Sequence, residues 1–244
     1  MNFEDKSFKD LSPSNTKVVV HGKTSFVNAG KVGSVSVSFD NTKSGFSGAG
    51  AYILVPKSDE TQFAGDFTIE FWVYINGNAA GTYGQYNDIM ASEKYYFDTD
   101  KTHTGNFVIR RTPESALEVR IYDQQAEKIN SPDKNSVPFK QKVWHHVALV
   151  RDGVNVYLYQ DGKAVYNGKY SGVFNNNQGY TIGRSTPTQH NKGGTWLAGN
   201  VDELRVTKGV ARYKGGKQFV VSSKPFMACG AGGGGTGGGG GQGT

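Results

Sequence analysis

Cysteine is almost absent from this sequence. The single Cys229 excludes an intramolecular disulfide framework and any cysteine-rich metal site. No apolar run approaches the roughly 20 residues of a membrane-spanning helix, so membrane insertion is not expected. The opening Met1-Asn2-Phe3-Glu4-Asp5-Lys6 has no apolar stretch of the kind a secretory leader needs. This predicts a protein made in a cytoplasm and released, if at all, by a route such as cell lysis. Concentrated charge is missing too. Lysine and arginine outnumber aspartate and glutamate 27 to 21, giving a formal net charge of +6, yet Arg110-Arg111 is the only Arg/Lys doublet. Without a basic stripe or a recognisable module, a nucleic-acid partner is not expected. The excess charge instead suits solubility or attraction to acidic glycans and cell surfaces. Histidines are few. His145 and His146 are adjacent, so on a strand they point to opposite faces and cannot chelate one ion together.

What the chain does have is period-two alternation. In Phe67-Thr68-Ile69-Glu70-Phe71-Trp72-Val73-Tyr74-Ile75 every odd position is apolar, which predicts a core-facing side. The other side, with Thr68, Glu70, Trp72 and Tyr74, is expected to be partly covered or used for binding. The stretch from Trp144 to Val165 holds two alternating runs and two Asp-Gly pairs, Asp152-Gly153 and Asp161-Gly162. Tight hairpin turns need positive φ, which Asp-Gly supplies, so this stretch reads as an antiparallel meander. Further strands are expected at 17–21, 34–39, 51–55, 88–92, 106–110, 116–122, 180–183 and 199–206. Residues 123–138 read as a polar connection. No stretch shows convincing helical periodicity. The fold class is all-β: a two-sheet antiparallel β-sandwich or jelly roll.

Three parts are expected: an N-terminal arm over 1–16, the sandwich over 17–228, and a glycine-rich tail over 229–244. Residues 230–244 contain eleven glycines. Such a tail is either flexible, because ordering glycine costs the most backbone entropy, or packs as an extended strand on an assembly or on a copy of itself.

Five blocks occur in an order that resembles one family. They are Phe67–Val73; Trp144-His145-His146-Val147-Ala148; Tyr157 followed by Asp161-Gly162; Ile182-Gly183-Arg184; and Gly199–Val206 followed by Gly209-Val210-Ala211-Arg212-Tyr213. Together, over roughly residues 17–226, they resemble the laminin-G-like branch of the concanavalin A-like lectin/glucanase superfamily. The run from Val201 to Tyr213 is similar to domains found in bacteriophage structural proteins. The resemblance implies two curved antiparallel sheets and a role in binding carbohydrate or protein. It does not imply catalysis. Glycosidases of the superfamily carry an acidic cluster on one strand, and retaining hydrolysis needs two carboxyls about 5–5.5 Å apart. Here the acid nearest Glu70 on its strand is Asp66, four residues and roughly 13 Å away. Glu70 is expected to pair across strands with Arg205, and the chain is not expected to be an enzyme. The sequence also departs from the family. Phe39-Asp40-Asn41 and Gly50-Ala51-Tyr52 stand where Phe-Asp-Gly and Gly-Asp-Tyr are usual, so one acidic position is alanine.

Strict alternation through Val201–Val206 puts Asp202 on the side of Leu204 and Val206, hence inward. A buried carboxylate must be paired, hydrogen-bonded or metal-bound. Asp202 is therefore expected to meet a cation or turn N–H groups, or to hold a structural calcium ion with Asp40 and carbonyls as co-ligands. Tyr83, Tyr86, Tyr95, Tyr96, His190 and Trp196 are the candidate ligand-binding residues. Their rings either stack on sugars or pack on the protein's own loops or a neighbouring subunit. The leading functional expectation is a virion component of a phage, a capsid decoration or tail-fibre subunit. It would contact other virion proteins and copies of itself and bind host-surface carbohydrate. The alternatives are an assembly protein without glycan binding, and a carbohydrate-active enzyme or binding module.

Overall fold

A computed structural model describes residues 1–42, 50–79, 85–94, 104–123, 126–131, 137–185 and 195–226. The strands are β1 (Val19–His21), β2 (Thr24–Val27), β3 (Ser36–Phe39), β4 (Tyr52–Val55), β5 (Phe67–Ile75), β6 (Asn87–Ser92), β7 (Asn106–Arg111), β8 (Leu117–Asp123), β9 (Ala126–Asn130), β10 (Trp144–Asp152), β11 (Asn155–Gln160), β12 (Lys163–Lys169), β13 (Tyr180–Ile182) and β14 (Gly199–Lys208). The described helical structure is one short 3-10 turn, Asp59–Thr61. Two seven-stranded antiparallel sheets form. The first runs β1-β4-β13-β6-β7-β8-β9, the second β12-β11-β10-β5-β14-β3-β2. This is the two-sheet sandwich that the alternation predicts.

The core lies between the sheets. Phe67, Ile69, Phe71, Val73 and Ile75 of β5 all turn into it, as do Val147 and Leu149 of β10 and Val156 and Leu158 of β11. Facing them are Ile53, Met90, Phe107, Ile109, Val119 and Ile121 of the first sheet. The two Asp-Gly pairs make the meander's turns. Asp161 and Gly162 both adopt positive φ, 51° and 80°, the pattern of a type I′ hairpin turn. In the other turn Gly153 alone has positive φ, 62°, which fits a type II′ turn.

Two strands escape the pattern reading. Both β2 and β9 are edge strands. In the stretch expected to be a polar connection, β9 turns only Ile129 into the core, so alternation has almost nothing to register. The tail at 229–244 lies outside the described residues.

The structure corrects the orientation expected for Asp202. The register of β14 on β5 slips between Asp202 and Arg205: Val201 faces Val73 and Asp202 faces Trp72, but Arg205 then faces Glu70. One extra residue is absorbed there, with Glu203 at a positive φ of 49°. A one-residue bulge reverses the alternation. Val201 and Leu204 both reach the core, while Asp202 sits on the outer side with Trp72. The bulge also buries Glu203, 1% exposed, whose Oε2 accepts the Phe226 N–H. Burial, with the neighbouring Asp202 charge, pushes its carboxyl up to about 7.

A buried acid with a raised pKa binds its proton more tightly folded than unfolded, so stability is lost as pH rises through the folded value. The melting temperature is expected to fall between pH 5 and pH 8, and Glu203→Gln to flatten that fall. A wild-type profile that rises over this window contradicts the assignment.

Candidate functional site

The outer faces of the two sheets differ. That of the second sheet is sealed by residues 209–226. Thr68 Oγ1 donates to the Val210 carbonyl and accepts from the Arg212 N–H. Phe219 packs on Tyr159 and His146 and stacks on Tyr213 with ring centroids 3.5 Å apart. Beneath this strap Glu70 is fully buried. Its Oε1 accepts from Arg205 Nε and Nη2 at 2.9 and 2.7 Å, and its Oε2 accepts from the Tyr213 hydroxyl at 2.8 Å. The expected Glu70–Arg205 pair is therefore present. Burial alone would push the Glu70 carboxyl up, but His146 3.5 Å away, hydrogen bonds from Tyr213 and Arg205, and the Arg205 charge hold it below the usual carboxylate range. Trp72 Nε1 and His146 Nδ1 on this face have no hydrogen-bond partner among the described residues.

The outer face of the first sheet is charged and also largely buried: Asp88, Glu118 and Arg110 are 0%, 2% and 6% exposed. Strand register sets Asp88 beside Arg110 and Arg110 beside Glu118. Glu118 bonds Arg110 Nε and lies 3.1 Å from Arg120 Nε. The Arg110 guanidinium lies 4.0 Å from the centroid of the half-buried Tyr86 ring. Nearer β1, His21 stacks on Tyr52 at 4.2 Å, and the Arg184 guanidinium lies 3.7 Å from the centroid of the same ring. Arg184 follows Gly183, whose φ of 94° lets the chain leave β13 here, and whose hydrogen faces the Phe39 ring where a Cβ would clash.

Two buried polar atoms at this corner are unsatisfied among the described residues: Arg184 Nε and Asp88 Oδ1. They are structurally linked. The Gly183 N–H bonds the Ile89 carbonyl. The hydroxyls of Ser185 and Thr195 are 2.9 Å apart, and Thr195 donates to the other Asp88 oxygen, Oδ2. Burial pushes the Arg184 pKa down, opposed by Tyr52 and Glu93. Such atoms are not confined to this corner: Asn87 Nδ2 beside it, and Trp72 Nε1, His146 Nδ1, Gln160 Oε1 and Asn200 Oδ1 of the second sheet, also lack partners among the described residues.

The sequence candidates distribute unevenly. Tyr83, Tyr95, Tyr96 and His190 lie outside the described residues. Tyr86 is on the outer face of the first sheet, against Arg110. Trp196 is near the corner but fully buried, packed with Tyr52, Ala79 and Ala198. It occupies space that Gly50 leaves open, since a Cβ there would come within 2.4 Å of the indole. Trp196 therefore backs the Tyr52–Arg184 stack and presents no ring face to a ligand. Asp40 and Asp202 are not brought together. Asp202 follows Val201, which pairs with Val37, so Asp40 sits four strand positions from the residue beside Asp202, roughly 13 Å along β3. Asp202 Oδ2 accepts the Lys31 and Val32 N–H groups at 2.8 and 3.0 Å, and its Oδ1 accepts that of Glu203. These atoms point donors, not oxygen ligands, at the carboxylate, so the residues present do not fit a calcium ion. Among the described residues no cluster of three metal-ligating side chains occurs.

Sequence reasoning missed Arg184, Asp88, Tyr52 and His21. The available signal was Gly183-Arg184, where a glycine holds the backbone at a strand end directly before a cation. The structure also contains a cavity of about 450 Å³ between the open edge of the sandwich and residues 10–18, lined by Leu11, Val18, Val55, Tyr180, Leu204 and Val206 among others. Much of its polar lining is already paired. Asp10 accepts from Ser12, Ser14 and Thr16, and Thr61 bonds the carbonyls of Ser58 and Gln178. It offers less unsatisfied chemistry than the corner.

Removing a packing residue and removing a ligand-facing residue should separate in stability. Trp196→Ala is expected to cost about 3–5 kcal/mol. Arg184→Gln is expected to stay within about 1 kcal/mol of the parent, because among the described residues no carboxylate forms an ion pair with it. Denaturant unfolding measures both, and equal losses contradict the division of roles.

Known proteins share this architecture. Domain 4 of AbnA, a GH43 extracellular arabinanase from Geobacillus stearothermophilus solved in complex with arabinotriose, aligns with a TM-score of 0.61 and 16% identity, over 86% of this chain and 91% of that one. The botulinum neurotoxin serotype G binding domain aligns at 0.57 and 14%, over 89% of this chain and 47% of that one. The binding domain of botulinum neurotoxin DC, in complex with SialylT, aligns at 0.56 and 15%, over 84% and 46%. This chain thus spans about half the length of the two toxin domains. At these identities the likeness is one of fold. No curated protein sequence matches the chain. Residues 47–211 match the Laminin_G_3 family. The match covers more than half of the sequence, and the chain belongs to the concanavalin A-like lectin/glucanases superfamily.

Proposed function

We propose that this chain is a non-enzymatic carbohydrate-binding module that takes its glycan on the outer face of the first sheet. The observation that carries the reading is the match of residues 47–211 to a lectin-type family, and on this face the half-buried Arg184 and Tyr86 are the side chains a sugar could reach. Tyr86 on the same face is placed to contribute an aromatic surface. Two structures of similar fold were solved with sugars, as their names record, one with arabinotriose and one with SialylT. The non-enzymatic reading is supported by Glu70, the central acid of β5, which is sealed under the strap in an ion pair with Arg205 and faces no cleft.

We further propose that the module is borne on a phage virion, as a capsid decoration or tail-fibre subunit, among other virion proteins and copies of itself. The support is the resemblance of Val201–Tyr213 to phage structural proteins. The glycine-rich 229–244 tail suits an assembly contact.

On a glycan array the full chain is expected to bind at least one oligosaccharide, with Arg184→Gln and Tyr86→Ala each weakening it about tenfold or more while the fold persists. Binding that neither variant alters overturns the placement of the site. No binding to any glycan overturns the function.

A further inference from the structure

We infer that the cavity beside residues 10–18 is a second binding site, taking a small, uncharged, mainly apolar molecule with one hydrogen-bond acceptor. Its volume of about 450 Å³ lies within the roughly 300–1,000 Å³ of small-molecule sites. The inference does not rest on the glycan reading, since Arg184, Tyr86 and Tyr52 take no part in lining this space.

The walls come from three parts of the chain. Val55 of β4 and Tyr180 of β13 stand on the side of the first sheet, Leu204 and Val206 of β14 on the side of the second. Val55, Tyr180 and Leu204 belong to the hydrophobic core, so the floor of the cavity is the core itself. The roof is the stretch of the N-terminal arm from Leu11 to Val18. This roof is pinned at both ends. Before it, Phe3 is buried, the Phe8 ring lies 4.6 Å from that of Phe26, and Glu4 accepts the Ser34 and Val35 N–H groups at 3.0 and 2.9 Å. After it, β1 pairs with β4. The space is therefore preformed, and a ligand is spared the entropy of ordering its walls.

The ionisable groups around the cavity already have partners. Arg205 is paired with Glu70 at 2.7 Å, and Lys208 donates to the Asp59 carbonyl and lies 3.5 Å from Glu60. The Asp10 carboxylate accepts from Ser12, Ser14 and Thr16, and the Met1 amine donates to the Leu204 carbonyl. An ionised ligand would be desolvated here without a counter-charge of its own. The Tyr180 hydroxyl is different. Among the described residues it has no hydrogen-bond partner. Burial, with the Asp10 charge, pushes its pKa up, so it remains a phenol with a proton to donate. A carbonyl, ether or hydroxyl oxygen of the ligand accepts that proton, while the apolar body covers Leu11, Val18 and Val206, which are only partly buried.

Prodan, a neutral naphthyl ketone whose emission shifts to the blue when it leaves water, has this chemistry and serves as the probe. Titrated into the full chain, it is expected to give a saturable blue shift with one site per chain. Leu11→Trp, which fills the space from the roof, is expected to weaken binding about tenfold or more. Tyr180→Phe, which removes only the donor, is expected to weaken it about threefold or more. Arg184→Gln, on the glycan face, and Val220→Ser, at a side chain that is 97% exposed, are expected to bind as the parent does. Thermal melts establish that each variant is folded. No saturable shift, a shift lost in Val220→Ser, or binding unchanged in both Leu11→Trp and Tyr180→Phe overturns the inference. Weakening by Arg184→Gln equal to that by Leu11→Trp overturns the separation of the two sites.

Discussion

A carboxylate at the centre of a sandwich strand must be either wet or fully paired, and Glu70 is paired. Its two oxygens take the Arg205 guanidinium and the Tyr213 hydroxyl, with His146 Nε2 3.5 Å away. Tyr213 belongs to the strap, so satisfying Glu70 anchors residues 209–226 across the second sheet. Thr68 and Phe219 extend the contact to either side. The same pairing requires Arg205 to face Glu70. That register in turn requires the β14 bulge, which turns Asp202 outward onto the Lys31 and Val32 amides and buries Glu203 against the end of the strap. Bulge, strap and outward Asp202 all follow from giving Glu70 its partners.

With one face closed in this way, the contrast with the other is chemical. Under the strap the central carboxylate accepts from several donors. On the first sheet, among the described residues, Arg184 lies on Tyr52 without a hydrogen bond from its Nε, and Asp88 Oδ1 has no donor. The strap gives the second sheet a structural cover, and the proposed recognition falls to the first sheet.

Much of this was legible in the sequence. The five odd-numbered apolar residues of β5, the two Asp-Gly turns and the Glu70–Arg205 pair follow from period-two alternation and turn chemistry. The orientation of Asp202 did not, because a bulge inserts one residue without changing the pattern of residue types. Edge strands β2 and β9 bury too few side chains to print a pattern. The site was legible only in part. Trp196 and Tyr86 were found because aromatic residues in loops attract notice, yet Trp196 proved to be a buried support. Arg184 and Asp88 were missed because an orphaned hydrogen-bonding atom is a property of three-dimensional surroundings, which one sequence does not display.

The central claim is that recognition belongs to the outer face of the first sheet and not to the strap-covered face of the second. Backbone amide NMR of the full chain, titrated with an oligosaccharide that binds it, tests this most directly. The account predicts shift changes confined to β4, β6, β7 and the Gly183–Ser185 turn, with the amides of Glu70, Arg205 and Tyr213 unmoved. Shifts centred on β5, β14 and residues 209–226, with Arg184 and Asp88 silent, would contradict it.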